Sequence, residues 1–163
     1  MAALKWGVPK TYTWTVYDGS TYDIFPIDKW RFRVAGRRAP IAKVLVVDDD
    51  LIVADMYRLA LSRAGHEVQV ANDGVAALRA ILSSRPDIVF LDIRMPKMDG
   101  MEVLRDLASA DLTRSIPVVM LSNYDEPRLV KESISLGAKQ YLVKAGTNPA
   151  ELARVVSQWV EAA

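Results

Sequence analysis

The sequence predicts an α/β protein: a doubly wound, five-stranded parallel sheet preceded by a short β-rich extension. Three observations point there. From Lys43 onward, five short apolar runs alternate with amphipathic helical stretches. Three of those runs are apolar without interruption, as strands covered on both faces must be. The charge balance also breaks near Pro40. Residues 1–42 carry seven basic and three acidic residues, a net of +4, whereas residues 43–163 carry 14 basic and 17 acidic, a net of −3. The first 40 residues hold eight of the 13 aromatics. The chain therefore reads as an extension over 1–40 and a second domain over 41–163, joined through Gly36 to Pro40.

In the extension, Thr11 to Tyr17 alternates Thr with Tyr12, Trp14 and Val16, the period of a strand. Asp18–Gly19–Ser20 signals a turn into a second strand near Thr21 to Phe25. Trp30, Phe32 and Val34 alternate with Arg31 and Arg33 as a third. Three short strands with one aromatic face need something to cover that face. Packing on the domain or dimerisation is the expected use. The interleaved arginines and aromatics also permit single-stranded nucleic acid, a reading disfavoured because it needs a groove.

In the domain, Val44–Val47 is the first run, and Val68–Ala71, interrupted by Gln69, suits a less buried edge strand. Ile88–Leu91 and Val118–Leu121 follow, and Tyr141–Val143 is the fifth. Leu51–Ala64, Gly74–Ser83, Gly100–Ala108 and Glu126–Leu136 read as helices between them. In the last helix Leu152, Val155, Val156, Trp159 and Val160 fall at i, i+3, i+4, i+7 and i+8. Right-handed crossovers between such units place any chemistry at the carboxyl ends of the strands.

Composition removes several classes of function. With no cysteine and one histidine, His66, thiolate chemistry and histidine-rich metal sites are excluded. A net charge of +1 gives no polybasic signature for nucleic acid or an anionic membrane. There is no apolar run of membrane-spanning length and no signal-peptide core, so a cytoplasmic protein is expected. His66, in the turn Ala64–Gly65–His66–Glu67 on the far side of the sheet, is expected to be solvated.

The strand ends carry the chemistry. Asp48, Asp49 and Asp50 follow the first strand, Asp92 the third, Ser122 the fourth and Lys144 the fifth. Asp50, just before Leu51, reads as a helix N-cap. Clustered carboxylates repel unless a positive group holds them, and their oxygens suit a hard cation such as Mg²⁺. An ammonium and a hydroxyl opposite them fit the oxygens of a phosphoryl group. The set reads as phosphoryl chemistry with one carboxylate as acceptor.

Over about residues 41–162 the chain resembles the CheY-like receiver domain of two-component response regulators. The resemblance rests on Val44 to Asp50, on Asp92–Ile93–Arg94–Met95–Pro96–Lys97–Met98–Asp99–Gly100, on Leu121–Ser122, on Gly137–Ala138 and on Tyr141–Leu142–Val143–Lys144. It implies a flavodoxin-like sheet in the order 2-1-3-4-5 and a phosphorylation-controlled switch. Asp92 would accept the phosphoryl group from a histidine kinase or phosphotransfer protein. Asp49, Asp92 and the backbone carbonyl of Arg94 would bind Mg²⁺, with Asp48 acting through water. Lys144 would pair with Asp92 and then with the phosphoryl group, Ser122 would bond another of its oxygens, and Tyr141 would follow the Ser122 loop. Such a protein is not an enzyme beyond its own phosphorylation and dephosphorylation.

Arg94 and Tyr124, each two residues past a site residue, are expected to shield the phosphoryl group from water and lengthen its lifetime. Asn123, larger than the residue usual there, is expected to narrow access to Asp92. Ala145 stands where the family usually has proline after a cis bond. A cis bond to a non-proline residue costs about 2.5–4 kcal/mol, so the 144–149 loop is expected to be trans. The chain stops just past its last helix, so output is expected through protein contacts, through the extension or through a region outside this chain. The fourth helix (Arg128, Lys131), the fifth strand and the fifth helix (Glu151, Arg154, Gln158) offer mixed charges suited to a homodimer, with the extension as a second route. Two alternatives stand beside this reading: an aspartate-nucleophile phosphatase of the haloacid dehalogenase kind, and a pseudo-receiver that binds partners without phosphate.

Overall fold

A computed structural model describes residues 41–160 and, for backbone alone, 12–15 and 21–24. The chain divides into two units, Met1–Arg38 and Ala39–Ala163. In the first, β1 (Tyr12–Thr15) and β2 (Thr21–Ile24) form an antiparallel pair with Tyr12 opposite Ile24 and Trp14 opposite Tyr22. These are the two alternating runs of the sequence. The third strand, expected around Trp30 to Val34, lies outside the described residues.

The second unit holds five parallel strands: β3 (Lys43–Val47), β4 (Glu67–Ala71), β5 (Ile88–Leu91), β6 (Val118–Ser122) and β7 (Gln140–Val143). Their spatial order is β4-β3-β5-β6-β7, which is 2-1-3-4-5 counted within this sheet. The helices between and after them are α1 (Leu51–Arg63), α2 (Gly74–Ser84), α3 (Gly100–Ser109), α4 (Pro127–Ser135) and α5 (Pro149–Val160). Among the described residues no helix is long and apolar enough to cross a membrane.

Apolar side chains on both faces of the central strands build two separate cores. Leu45, Val47, Val89, Leu91, Val118 and Met120 face one way, against Ala77 and Ile81 of α2 and Val103, Leu104 and Leu107 of α3. Val44, Val46, Ile88, Phe90, Val119 and Leu121 face the other, against Tyr57 and Leu61 of α1 and Leu152, Val155 and Val156 of α5. β4 is an edge strand, with Glu67 and Gln69 exposed.

Local chemistry fixes the helix starts. Asp50 caps α1, its side chain accepting from the amides of Ile52 and Val53. Asp99 and Glu102 close a capping box at the head of α3. α4 begins at Pro127, one residue later than periodicity suggests, since proline suits a first helical turn that needs no amide donor.

His66 departs from expectation. It is buried rather than solvated, 9% exposed, and its Nδ1 accepts from the amide of Ala42 at 3.4 Å. Burial lowers its pKa below the ordinary histidine value. A depressed folded-state pKa stabilises above the unfolded value and loses that contribution as pH falls through the folded one. Protonated Nδ1 also cannot accept from Ala42. Urea midpoints should therefore fall between pH 7 and pH 5.5, and part of that slope should vanish in His66→Gln. An unchanged slope would show that His66 does not titrate against folding.

Candidate functional site

Four strand ends converge. Asp48 follows β3, Asp92 follows β5, Ser122 closes β6 and Lys144 follows β7. Parallel strands in register bring these ends to one rim: Val47 pairs with Leu91, Leu91 with Met120, and Ser122 with Val143. Asp48, Asp92 and Ser122 are buried, whereas Asp49 is exposed at the mouth.

The Lys144 side chain reaches into the cluster, only 9% exposed. Its Nζ lies 2.7 Å from Asp48 Oδ2 and 3.2 Å from Asp92 Oδ1, so it balances both carboxylates and stands nearer to Asp48. Burial opposes the ammonium charge, but the close Asp48 contact and the field of both carboxylates outweigh it and raise the Lys144 pKa. Burial pushes the Asp92 carboxyl above its ordinary value, against the pull of Lys144. No peptide bond among the described residues is cis, so Lys144–Ala145 is trans, and a 3-10 turn at Lys144–Gly146 carries the chain into the next loop.

Asp48, Asp49 and Asp92 each offer a carboxylate oxygen, and these atoms lie within 4.8 Å of one another. Asp48 Oδ1 accepts from the Asp50 amide at 3.1 Å. Asp48 Oδ2 is buried, and the Lys144 ammonium stands against it. Three clustered carboxylates facing a single ammonium fit a hard divalent cation.

The phosphoacceptor candidate's own loop is held from two sides. Gly100 at the head of α3 rests on the backbone of Asp92 and Ile93, and its amide donates to the Ile93 carbonyl at 2.8 Å. Lys97 takes a left-handed conformation, φ +69°, and its Nζ reaches Asp73 Oδ2 at 2.7 Å. Asp73 also caps α2, accepting from the Ala76 amide; the Lys97 bond, then the Ala76 bond, lower its pKa. Sequence reading missed this tether. An Asp before Gly74 signals only a cap, and a Lys in the Met95–Gly100 motif signals only charge.

On the β6 side, Ser122 Oγ accepts from the Tyr124 amide at 3.2 Å. The half-buried Tyr141 donates its hydroxyl proton to the Tyr124 carbonyl. The Arg94 guanidinium lies over the Tyr124 ring, 4.9 Å from its centroid. Tyr57, buried beneath the rim in α1, has its pKa raised, first by burial.

A family model for the response regulator receiver domain matches residues 44–157, the stretch that holds every residue of this rim. The chain belongs to that family. Its receiver domain is 41% identical over 102 residues to response regulator MprA of Mycobacterium ulcerans, covering 63% of this chain and 43% of that protein. MprA of Mycobacterium avium matches at the same identity, with 44% of it covered. The chain thus spans less than half the length of these curated relatives. Among solved structures, the receiver domain resembles that of Francisella response regulator 1452 (30% identity, TM-score 0.69, 74% of this chain and 98% of that one). It also resembles the NarL signal receiver domain of Mycobacterium tuberculosis (32%, TM-score 0.68, 76% and 98%) and the Vibrio cholerae chemotaxis protein CheY4 (32%, TM-score 0.67, 74% and 99%).

Proposed function

We propose that the receiver domain is a phosphorylation-controlled switch in which Asp92 accepts a phosphoryl group from a phosphohistidine on a partner kinase or phosphotransfer protein. The observation that carries this reading is the convergence of Lys144 Nζ, Asp48 and Asp92 within 3.2 Å, with Ser122 buried at the next strand end. A carboxylate oxygen of Asp92 attacks phosphorus, the P–N bond breaks, and its electron pair returns to the imidazole. The product is an acyl phosphate. Lys144 meets the charge that develops on the phosphoryl oxygens, and the Ser122 hydroxyl is free to donate to one of them while accepting from Tyr124. Asp48, Asp49, Asp92 and the Arg94 carbonyl would hold Mg²⁺, which supplies further charge neutralisation when bound. Family membership sets aside the haloacid dehalogenase-like alternative.

Acetyl phosphate with Mg²⁺ should add one phosphoryl mass to the intact chain and none to Asp92→Asn. A chain whose mass does not change would favour the non-phosphorylated pseudo-receiver. Asp49→Ala should weaken Mg²⁺ binding at least tenfold by calorimetry while leaving the fold intact, since Asp49 is exposed and its carboxylate is one of few protein ligands. Equal affinity in the variant would remove Asp49 from the site.

The stack of Arg94 on Tyr124 supports a long-lived acyl phosphate, because two bulky groups then flank the approach of water. Decay followed by mass should quicken several-fold in Arg94→Ala and in Tyr124→Ala, and equal decay rates would end the shielding idea. The output surface is read at α4, β7 and α5. Within it Arg154 is paired with Glu151 at 3.1 Å, while Arg128 and Lys131 are exposed. Sedimentation of the full chain with and without acetyl phosphate would reveal whether self-association through this face follows phosphate. Association insensitive to phosphate would shift the contact to residues 1–40.

A further inference from the structure

We propose that Lys97 is a positioning residue for the Arg94 carbonyl, fixing the far end of the loop after Asp92 to the head of α2. The inference rests on the reading of that carbonyl as a Mg²⁺ ligand and adds what holds it in place.

Arg94, Met95 and Lys97 take part in no backbone–backbone hydrogen bond among the described residues, so neither a ladder nor a turn sets the course of this stretch. It is held from its ends. At the near end, the Gly100 amide closes the loop on the Ile93 carbonyl at 2.8 Å. At the far end, Met98 is pressed on the head of α2: a Cβ on Gly74 would lie 2.6 Å from the Met98 carbonyl oxygen and 2.9 Å from its Cβ. Lys97, just before it, stands at φ +69°, a left-handed value that lysine adopts only at a cost. Leaving that region would shift Lys97 against Met98. The ion pair resists the shift, with Nζ 2.7 Å from Asp73 Oδ2. Asp73 is a firm anchor, 8% exposed, its other oxygen accepting from the Ala76 amide at 2.7 Å as the cap of α2. Between Lys97 and Arg94 the chain is stiff. Pro96 has its φ fixed by the ring, and Met95, standing before a proline, is confined to extended conformations. The place of Lys97 is therefore passed on to the Arg94 carbonyl, which accepts no hydrogen bond of its own from the described backbone.

The full chain would be compared with Lys97→Ala, Asp73→Asn, their double variant and Lys97→Arg. Two measurements are made: amide NMR without metal, and calorimetry with Mg²⁺ alone. The Met95 amide is the sharpest probe, because it shares a peptide plane with the Arg94 carbonyl. Asparagine caps a helix as well as aspartate does, so Asp73→Asn removes only the charge that Lys97 meets. Lys97→Ala and Asp73→Asn should each shift the Arg94 and Met95 amides and weaken Mg²⁺ binding about two- to fivefold, the scale of one such ion pair. The double variant should lose no more than either single one, and Lys97→Arg should resemble the wild type. Long-range charge alone predicts opposite signs, since losing an ammonium tightens the binding of a cation and losing a carboxylate loosens it. Affinities that move in opposite directions, or a Met95 amide that stays in place in either single variant, would overturn the proposal. If the wild-type chain binds no Mg²⁺, the reading of the Arg94 carbonyl as a ligand fails, while the metal-free amide shifts still decide whether Lys97 holds that carbonyl.

Discussion

Lys144→Met should destabilise the receiver domain by about 3–5 kcal/mol at pH 7 in EDTA, the cost of leaving buried charge without its partner. Asp48 is 1% exposed and Asp92 6%, and the 9%-exposed Lys144 side chain is the cation that stands between them. Methionine fills the same volume, so the effect is electrostatic and not a cavity. The Asp92 carboxyl, already raised by burial and lowered by Lys144, should rise further in the variant. A carboxyl whose folded-state pKa lies above its unfolded value stabilises below the unfolded pKa, and that contribution is lost as pH rises through the folded one. The difference between variant and wild type should therefore be largest near neutrality and shrink towards pH 4. Adding Asp48→Asn to Lys144→Met should recover stability, and so should millimolar Mg²⁺. Urea unfolding across pH measures all of this. A Lys144→Met chain as stable as the wild type in EDTA would mean that the two carboxylates are not held by this ammonium.

Gly100→Ala should cost at least about 3 kcal/mol, at the upper end of what overpacking a tight site costs. Glycine is needed here for close approach: a Cβ at this position would strike the Asp92 carbonyl oxygen and lie 2.9 Å from Asp92 C and 3.0 Å from Ile93 Cα. All are backbone atoms of the segment that carries Asp92, so they cannot step aside as a side-chain tip can. Relief requires α3 to back away or Asp92 to move within the rim. Thermal unfolding would show the first as a lowered Tm, and lost phosphate uptake from acetyl phosphate would show the second. If Gly100→Ala unfolds outright, the same variant refolded in the presence of Mg²⁺ offers a second reading, since the ion would hold Asp92 against the push. A variant with wild-type Tm and uptake would mean the helix start is looser than it stands.

The sheet was legible because continuous apolar runs such as Ile88–Leu91 and Val118–Leu121 leave little choice of environment, and the rim was legible because polar residues follow those runs abruptly. Asp50 announced itself as a cap by its place before Leu51. What escaped were contacts between residues distant in the chain. Lys97 and Asp73 lie 24 positions apart on separate loops, and nothing local marks them as partners. His66 was misjudged because a turn suggests solvent, whereas the chain entering β3 folds Ala42 over it. The preference of Lys144 for Asp48 over Asp92 is a matter of half an ångström, below anything a pattern of residue types can express.

The rim takes its parts from β3, β5, β6 and β7, and this bears on how the protein comes into being. A chain emerging in order has its three carboxylates once Asp92 is made, yet the cation that balances the buried two, Asp48 and Asp92, is Lys144, far downstream. Until β7 docks against β6, the half-built rim holds buried negative charge with no counterweight, which disfavours compaction around it. The last strand therefore acts as the keystone of assembly as well as the carrier of a site residue. Truncated or stalled chains lacking it are without the ammonium that stands between Asp48 and Asp92, so the balanced rim arrives in one step, with completion of the fold.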